Sequence, residues 1–474
     1  MTNPFLIPIW LQVIPFFVLP LAAVAIAGGV PNPTVTGPIA ASVIPGNPSR
    51  DYPFFATNHE LAIRGYVEEE FFIQGTANRY ETPPLTTATI IDSDHPYLTR
   101  VVVRRPVDRR VFNGTVLVEW YNVTNGFDAE NTWFFGWEHI LRAGYVWVGV
   151  SAQRIGVNEL KNWGPKRYGA LDVSEGETIT DDALCYDIFS QAGEAILHPV
   201  GVDLLGGLRP RWVLAVGESQ SAGRLAVYAN SIHPLANVYQ GILLLSSLGN
   251  PIRTDLTTPV WKLLTEYDVG NSEASVRQPD TQYYRTWEVA GTSHVDQHLR
   301  DSREPLELRD RGTSAEATLA PQCDVPTIGT RVPTSDVLAS AFDLLVRWVG
   351  RGTPPPSAPP IEIEKFGPPV SPSVIARDSL GLALGGIRLS QLAVPTAYNV
   401  GFNTGPGACP RWGYFIPFDV AMLERLYPSH EDYVARVTRV TRENVRGHFI
   451  LEPDARRTIQ EAIESRVGGS DDNH

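Results

Sequence analysis

The sequence predicts an α/β protein with a mostly parallel central sheet and helices on both faces of that sheet. Strand-like and helix-like patterns alternate between residues 98 and 350, and this alternation is typical of a parallel sheet. The run VLAV at residues 213–216 is apolar and contains β-branched residues, as a buried parallel strand does. The chain has 474 residues, 43% apolar and 19% charged, so it is long enough to bury a large core.

The order of the predicted elements defines the sheet. Strands are predicted at residues 98–108, 115–123, 145–153, 212–219, 241–249 and 260–268. Helices are predicted near residues 129–143, 181–197, 221–232 and 335–350. An earlier strand, residues 68–80, is expected to join the sheet in the antiparallel sense.

The first 27 residues differ from the rest of the chain. Residues 5–27 form an uncharged apolar run that ends in Ala25-Ile26-Ala27, a small-x-small sequence typical of a signal-peptide cleavage site. Prolines interrupt the run and no basic residue precedes it, which leaves an uncleaved membrane anchor as the alternative. We therefore expect a secreted or periplasmic protein, associated with the membrane if the segment is retained.

Charge and ligand spacing exclude several classes of partner. The formal net charge is −13 and the pI is near 5.3, and no basic run is present that could neutralise nucleic-acid phosphates. No metal or other cofactor is predicted, because the histidines and cysteines lack short ligand spacings and no glycine-rich phosphate loop is present. Cys185 lies in a helical pattern and is expected in the core.

The C-terminal part of the chain has a different composition. Residues 351–378 are rich in proline and predict an extended linker, followed by a C-terminal extension at residues 379–474. Within it, residues 379–418 combine glycine, proline and aromatic side chains, which suits a loop that covers a substrate site; packing on the outside of the fold is the alternative. The sequence does not determine whether Cys323 and Cys409 are bonded, but a disulfide between them would tie this cover to the core.

Residues 213–232, VLAVGESQSAGRLAVYANSI, carry the most specific motif. An apolar strand leads into Gly217-Glu218-Ser219-Gln220-Ser221 and then into a helical pattern, which is the context of the nucleophile elbow G-x-S-x-G. Ser221 replaces the last glycine of that motif. We interpret Ser219 as a nucleophile; the alternatives are Ser221 as the nucleophile, or an ordinary turn between a strand and a helix.

The partners of this serine are sought later in the chain, because in the α/β-hydrolase arrangement the acid and then the histidine follow the nucleophile. His294 lies in a turn after a strand-like segment and fits the base, and His298 competes with it. Asp268 at the end of the last predicted strand fits the acid, and Glu266 on the same side of that strand is the alternative. The order predicts a triad of Ser219, one of these two acids, and His294.

The remaining site residues follow from this triad. The backbone N–H of Gln220, which follows the nucleophile, should stabilise the oxyanion. A second N–H is expected near Thr124 or Asn125, in the turn after the strand at 115–123. Aromatic residues crowd this turn, and Tyr121 and Phe127 are predicted to line the pocket for the acyl or alcohol part of the substrate.

Several runs of sequence together carry a family resemblance: GYVEEEFFIQGTANRYETP, LVEWYNVTNGFDAE, CYDIFSQAGEAI, LLTEYDV, VAGTSHVD, GGIRLSQLAVPTAYNVGFN and, most specifically, GESQSAGRL. From about Pro31 to near the C-terminus, the chain resembles a bacterial group of α/β-hydrolase-domain proteins that are mostly uncharacterised and presumed to be serine esterases. The resemblance implies an α/β-hydrolase core at residues 31–350, with Ser219 as nucleophile and His294 as base. It does not distinguish Asp268 from Glu266, and it implies no particular substrate.

The expected activity is hydrolysis of a small-molecule carboxylic ester through an acyl-enzyme on Ser219. Two other functions are considered: an acyltransferase that uses the same triad, and a non-catalytic binding protein on the same fold. A complete triad argues against the binding protein. The sequence does not separate the hydrolase from the acyltransferase, since that depends on the access of water to the acyl-enzyme. It also predicts no oligomeric state.

Overall fold

The protein is described here as a computed structural model covering Met1 and residues 29–367 and 372–469. The predicted signal peptide or anchor, residues 1–27, therefore lies outside the described residues except for Met1. Among the residues that are described, no helix combines the length and the apolar character that crossing a lipid bilayer requires.

The central sheet has nine strands. In chain order they are β1 (Thr34–Thr36), β2 (Tyr66–Glu81), β3 (Thr89–Pro106), β4 (Thr115–Trp120), β5 (Val146–Val150), β6 (Trp212–Glu218), β7 (Gly241–Leu245), β8 (Val260–Thr265) and β9 (Tyr284–Val289). Their order in space is β1-β2-β3-β5-β4-β6-β7-β8-β9. The first three strands join antiparallel, and β5, β4 and β6 to β9 run parallel to one another. Two small antiparallel pairs lie in the C-terminal part: β10 (Ile363–Lys365) with β11 (Val374–Ile375), and β12 (Ala397–Val400) with β13 (Tyr414–Pro417).

Helices connect the strands and cover the sheet. They are α1 (Asn131–Ala143), α2 (Arg154–Trp163), α3 (Pro165–Tyr168), α4 (Cys185–Leu197), α5 (Gln220–Val227), α6 (His233–Ala236), α7 (Glu266–Asn271), α8 (Gln297–Arg311), α9 (Ala315–Leu319), α10 (Thr334–Arg351), α11 (Ser390–Ala393), α12 (Cys409–Trp412), α13 (Val420–Leu426), α14 (His430–Arg446) and α15 (Glu452–Glu464). The crossover β4-α1-β5 moves one way along the sheet and β6-α5-β7 moves the other. Because such crossovers are right-handed, α1 and α5 lie on opposite faces. The predicted α/β fold with helices on both faces is confirmed.

The last predicted strand is shorter than expected. The sequence predicted a strand at 260–268, but β8 ends at Thr265 and α7 begins at Glu266. The hydroxyl of Thr265 accepts a hydrogen bond from the backbone N–H of Asp268, and the Asp268 carboxylate accepts one from the backbone N–H of Thr265. This capping box starts the helix, so the two candidate acids lie on a helical turn and point in different directions.

The proline-rich segment packs against the core. Within the predicted linker, Ile361 is fully buried, and its backbone N–H donates to the Glu288 carboxylate on β9 at 2.7 Å. The C-terminal extension also contributes to the main core, where Leu382, Ile387 and Leu392 are buried beside the residues of the sheet. The extension is therefore continuous with the sheet domain in its packing.

Candidate active site

The elbow between β6 and α5 holds Ser219 in a strained conformation. Its φ is 56°, in the left-handed region that residues other than glycine rarely adopt, and such strain costs about 1–3 kcal/mol. The turn is closely packed, because a Cβ at Gly217 would lie 2.9 Å from Leu225 Cδ1. The structure thus places the predicted serine at a sharp strand-to-helix turn, where a nucleophile is expected.

Ser221, the departure from the elbow motif, has a structural role. Its hydroxyl donates to the backbone carbonyl of Glu218 at 2.9 Å and accepts from the backbone N–H of Glu218 at 3.0 Å. The side chain is fully buried and points back toward the end of β6. A serine is therefore accommodated where the motif has glycine, and Ser219 is the serine that faces the histidine.

Three of the predicted residues form a hydrogen-bonded chain. The hydroxyl of Ser219 lies 2.8 Å from His294 Nε2, and His294 Nδ1 lies 2.7 Å from Asp268 Oδ1. All three side chains are buried. The competing His298 lies elsewhere, 3.4 Å from Glu138 in a separate cavity of about 310 Å³.

Glu266, the alternative acid, contacts other groups. Its carboxylate pairs with Arg377 at 2.8 Å and accepts hydrogen bonds from the backbone N–H groups of Gly291 and Gly401. The expectation that Glu266 and Asp268 point to one side of a strand is wrong, because both residues lie in the first turn of α7. Of the two acids, the structure brings only Asp268 to the histidine.

The environment of His294 favours its protonated form. Burial alone lowers the pKa of the imidazole, but the Asp268 carboxylate and, to a smaller extent, Glu218 raise it, so the pKa of His294 lies above its usual value. Arg411 opposes this rise. An imidazolium formed during a reaction would therefore be stabilised where it arises.

Glu218 places a second carboxylate at the site, which the sequence did not predict. Its Oε1 lies 3.4 Å from His294 Nε2, and its Oε2 accepts hydrogen bonds from the side-chain amides of Asn122 and Asn131. Burial raises the pKa of Glu218, whereas the positive charge of His294 lowers it. A buried carboxylate needs hydrogen-bond donors. The sequence signal that could have revealed this site is the pair of asparagines, Asn122 after β4 and Asn131 at the start of α1.

Of the two residues predicted as alternatives for the second oxyanion donor, Thr124 does not fit. The N–H of Thr124 donates to the Asn122 side-chain oxygen at 2.8 Å and is not free to bind an oxyanion. Among the described residues, the N–H of Asn125 has no acceptor, and Asn125 lines the cavity above Ser219. The N–H of Gln220 is the first of α5, where backbone donors lack a partner within the helix.

Tyr121 and Phe127, predicted to line the pocket, are core residues. Each is only 2% exposed, and neither lines the cavity above Ser219. The ring of Tyr121 packs over Gly149, where a Cβ would lie 2.3 Å from it. The ring of Phe127 lies beneath the Arg311 guanidinium, 4.2 Å from its carbon. Both side chains pack against residues from distant parts of the chain. They therefore belong to the core and do not line the site.

A small polar cavity opens above Ser219. Its volume is about 60 Å³, and it is lined by Asn122, Thr124, Asn125, Asn131, Glu218, Ser219, His294, Val295, Arg303, Ala315, Ala408, Arg411 and Trp412. The last three of these residues belong to residues 379–418, the segment predicted from the sequence to cover a substrate site. Cys323 and Cys409 form a disulfide, which joins this segment to the loop before α10. Among the described residues, no group of three or more His, Cys, Asp or Glu side chains could hold a metal ion.

Comparisons with known proteins place the chain in a family. The sequence model of the alpha/beta hydrolase domain matches residues 33–460. No curated protein matches the sequence. Among solved structures, esterase Est22 is 11% identical, with 54% of this chain and 81% of Est22 covered and a TM-score of 0.32. A dienelactone hydrolase from Anabaena variabilis is 13% identical, with 50% and 96% covered and a TM-score of 0.29.

Acetyl xylan esterase 1 from a Thermoanaerobacterium species is 9% identical, with 39% of this chain covered and a TM-score of 0.23. This chain spans about half of that esterase, 49% of its length. The family assignment rests on the sequence match alone. Because that match extends over most of the chain, from residue 33 to residue 460, the chain belongs to the alpha/beta hydrolase domain family.

Proposed function

We propose that the protein is a serine esterase that hydrolyses carboxylic esters of small acyl groups. The hydrogen-bonded chain from Ser219 through His294 to Asp268 carries this proposal. A hydroxyl is a weak nucleophile unless a base removes its proton, and a carboxylate on the far side of the base holds the correct tautomer. The cavity volume of about 60 Å³ favours a small acyl group.

The proposed reaction has two steps. His294 Nε2 takes the proton of Ser219 as the serine oxygen bonds to the ester carbonyl, and the resulting tetrahedral oxyanion is bound by the N–H groups of Gln220 and Asn125. The ester C–O bond then breaks, and the alcohol leaves with the proton from His294. Water, deprotonated by the same nitrogen, releases the acid and restores the serine. The Asp268 carboxylate accepts the hydrogen bond from His294 Nδ1 and stabilises the imidazolium.

A fluorophosphonate probe tests the proposal, because it phosphonylates an activated serine without requiring the natural substrate. We expect covalent labelling of the wild-type protein and of Ser221→Ala, and none of Ser219→Ala. Methyl esters of increasing acyl length then measure turnover, with short acyl groups expected to react fastest. Labelling that persists in Ser219→Ala, or a wild-type protein that neither labels nor hydrolyses any ester, would contradict the proposal.

A further inference from the structure

Arg303 and Arg411 line the cavity above Ser219, and they differ in their contacts with carboxylates. Arg303 is 3% exposed and lies 3.2 Å from the Glu307 carboxylate. Arg411 is half-buried, and among the residues that the structure describes no carboxylate lies within 4.0 Å of its guanidinium. The Arg411 side chain hydrogen-bonds to Tyr267, but a guanidinium has five N–H donors, so an arginine that lines a cavity without a carboxylate partner still has donors available to a ligand.

The backbone of Arg411 is fixed close to the catalytic histidine. Its carbonyl accepts a hydrogen bond from the N–H of Val295, the residue after His294, at 3.1 Å. Two residues earlier, Cys409 is held by the disulfide to Cys323. The neighbouring ring of Trp412 is 3% exposed and packs on α8 through Arg300 and Arg303. The short helix α12 therefore holds the guanidinium at a fixed edge of the cavity.

The Arg411 guanidinium acts on two titratable neighbours, Tyr267 and His294. Burial raises the pKa of Tyr267, whose ring packs against His294, and the Arg411 guanidinium opposes that rise. The same guanidinium lowers the pKa of His294, so it disfavours the imidazolium that catalysis must form. A bound anion would neutralise Arg411 and remove this penalty.

We propose that Arg411 binds a carboxylate of the substrate, and that the substrates are esters carrying a free carboxylate a few bonds from the scissile carbonyl. Monoesters of short dicarboxylic acids are the simplest members of this class. The inference rests on the proposed esterase function and narrows it. A guanidinium binds a planar carboxylate through two parallel N–H donors. The carboxylate is not altered, since only the ester C–O bond breaks and water supplies the new hydroxyl.

The test compares two substrates of equal shape and different charge, monomethyl succinate and the methyl ester of succinamic acid. We expect the wild-type protein to favour the anionic ester in kcat/KM by about 10- to 100-fold, the range for a hydrogen bond between charged groups. Arg411→Gln should bring this ratio close to one, and Arg411→Lys should restore only part of it. Arg351→Gln, which removes an exposed arginine at the end of α10, should keep the wild-type ratio.

A binding measurement separates this inference from the esterase proposal. Succinate is titrated by calorimetry into Ser219→Ala and into the double variant Ser219→Ala/Arg411→Gln, so no turnover is needed. We expect binding only to the single variant. Hydrolysis of both esters with a ratio near one, or a ratio that survives in Arg411→Gln, overturns the inference and leaves the esterase proposal standing. If neither ester is hydrolysed and no serine is labelled, the esterase proposal fails, and the titration alone decides whether the anion site exists.

Discussion

Replacing Asp268 with asparagine tests the proposed triad at its least exposed member. Oδ1 of Asp268 accepts from His294 Nδ1, while Oδ2 accepts from the backbone N–H of Thr265 at 2.8 Å and from its hydroxyl at 2.7 Å. An asparagine has one acceptor oxygen, and its amide nitrogen cannot accept a hydrogen bond from the Thr265 N–H. The oxygen must therefore face Thr265, and the amide N–H must face the imidazole.

That orientation selects the wrong tautomer of His294. Nδ1 must present a lone pair to the amide, so the proton resides on Nε2, which can no longer accept the proton of Ser219. We expect kcat to fall by about 10⁴-fold, which corresponds to about 5.4 kcal/mol of transition-state stabilisation. Initial rates on a short methyl ester measure the loss, and thermal unfolding of Asp268→Asn shows whether the variant is folded.

Glu266→Gln is the matched control for this substitution. It removes a buried charge from the same helical turn, one that pairs with Arg377 and does not contact His294. We expect a lower unfolding temperature, because Arg377 loses its partner, and a change in kcat of less than about tenfold. A loss of activity in Glu266→Gln greater than that in Asp268→Asn would refute the assignment of Asp268 as the acid.

Four further results are expected. Ser219→Ala should lower kcat by about 10⁶-fold, whereas Ser221→Ala should lose far less, mainly in stability; equal losses would count against the assigned nucleophile. In the wild-type protein the acidic limb of the kcat/KM profile should lie above pH 6.5, the ordinary value for an imidazole, because only the neutral base reacts. Glu218→Gln removes a negative charge that raises the pKa of this base and should move the limb to lower pH, and an unmoved limb would rule out that influence. The double variant Cys323→Ser/Cys409→Ser opens a loop of 86 residues and should lose about 4.5 kcal/mol of unfolding free energy in the chain-entropy model, measured by denaturant titration; an unchanged midpoint would contradict this.

The fold and the triad could be predicted because their signals are local. Apolar runs marked the parallel strands, and the elbow marked Ser219. The choice between Asp268 and Glu266 also had a local signal, since a threonine three residues before Asp268 is the pattern of a capping box. That pattern ends the strand at Thr265 and turns the two acids apart.

The residues that line the cavity depend on contacts between distant parts of the chain. Tyr121 and Phe127 are aromatic, as many pocket-lining residues are. In the folded protein, however, Tyr121 packs against Gly149 and Phe127 packs against Arg311, and both are buried in the core. Arg411 comes from a segment far beyond His294 in the sequence, and the hydrogen bond from Val295 to its carbonyl and the cavity that they share bring it beside the histidine. No periodicity in the sequence encodes such a contact.

The position of the cover in the chain also determines the order in which a ribosome delivers the parts of the site. Ser219, Asp268 and His294 are all synthesised before the segment that carries Trp412. At about 5–20 residues per second, the roughly 120 residues between His294 and Trp412 take about 6 to 24 s to translate. During that interval the growing chain holds Ser219, Asp268 and His294, while the C-terminal wall of the cavity and Cys409, which bonds to Cys323, are added only near its end. The C-terminal wall of the cavity is therefore completed last in the biogenesis of this protein, after the three residues of the hydrogen-bonded chain.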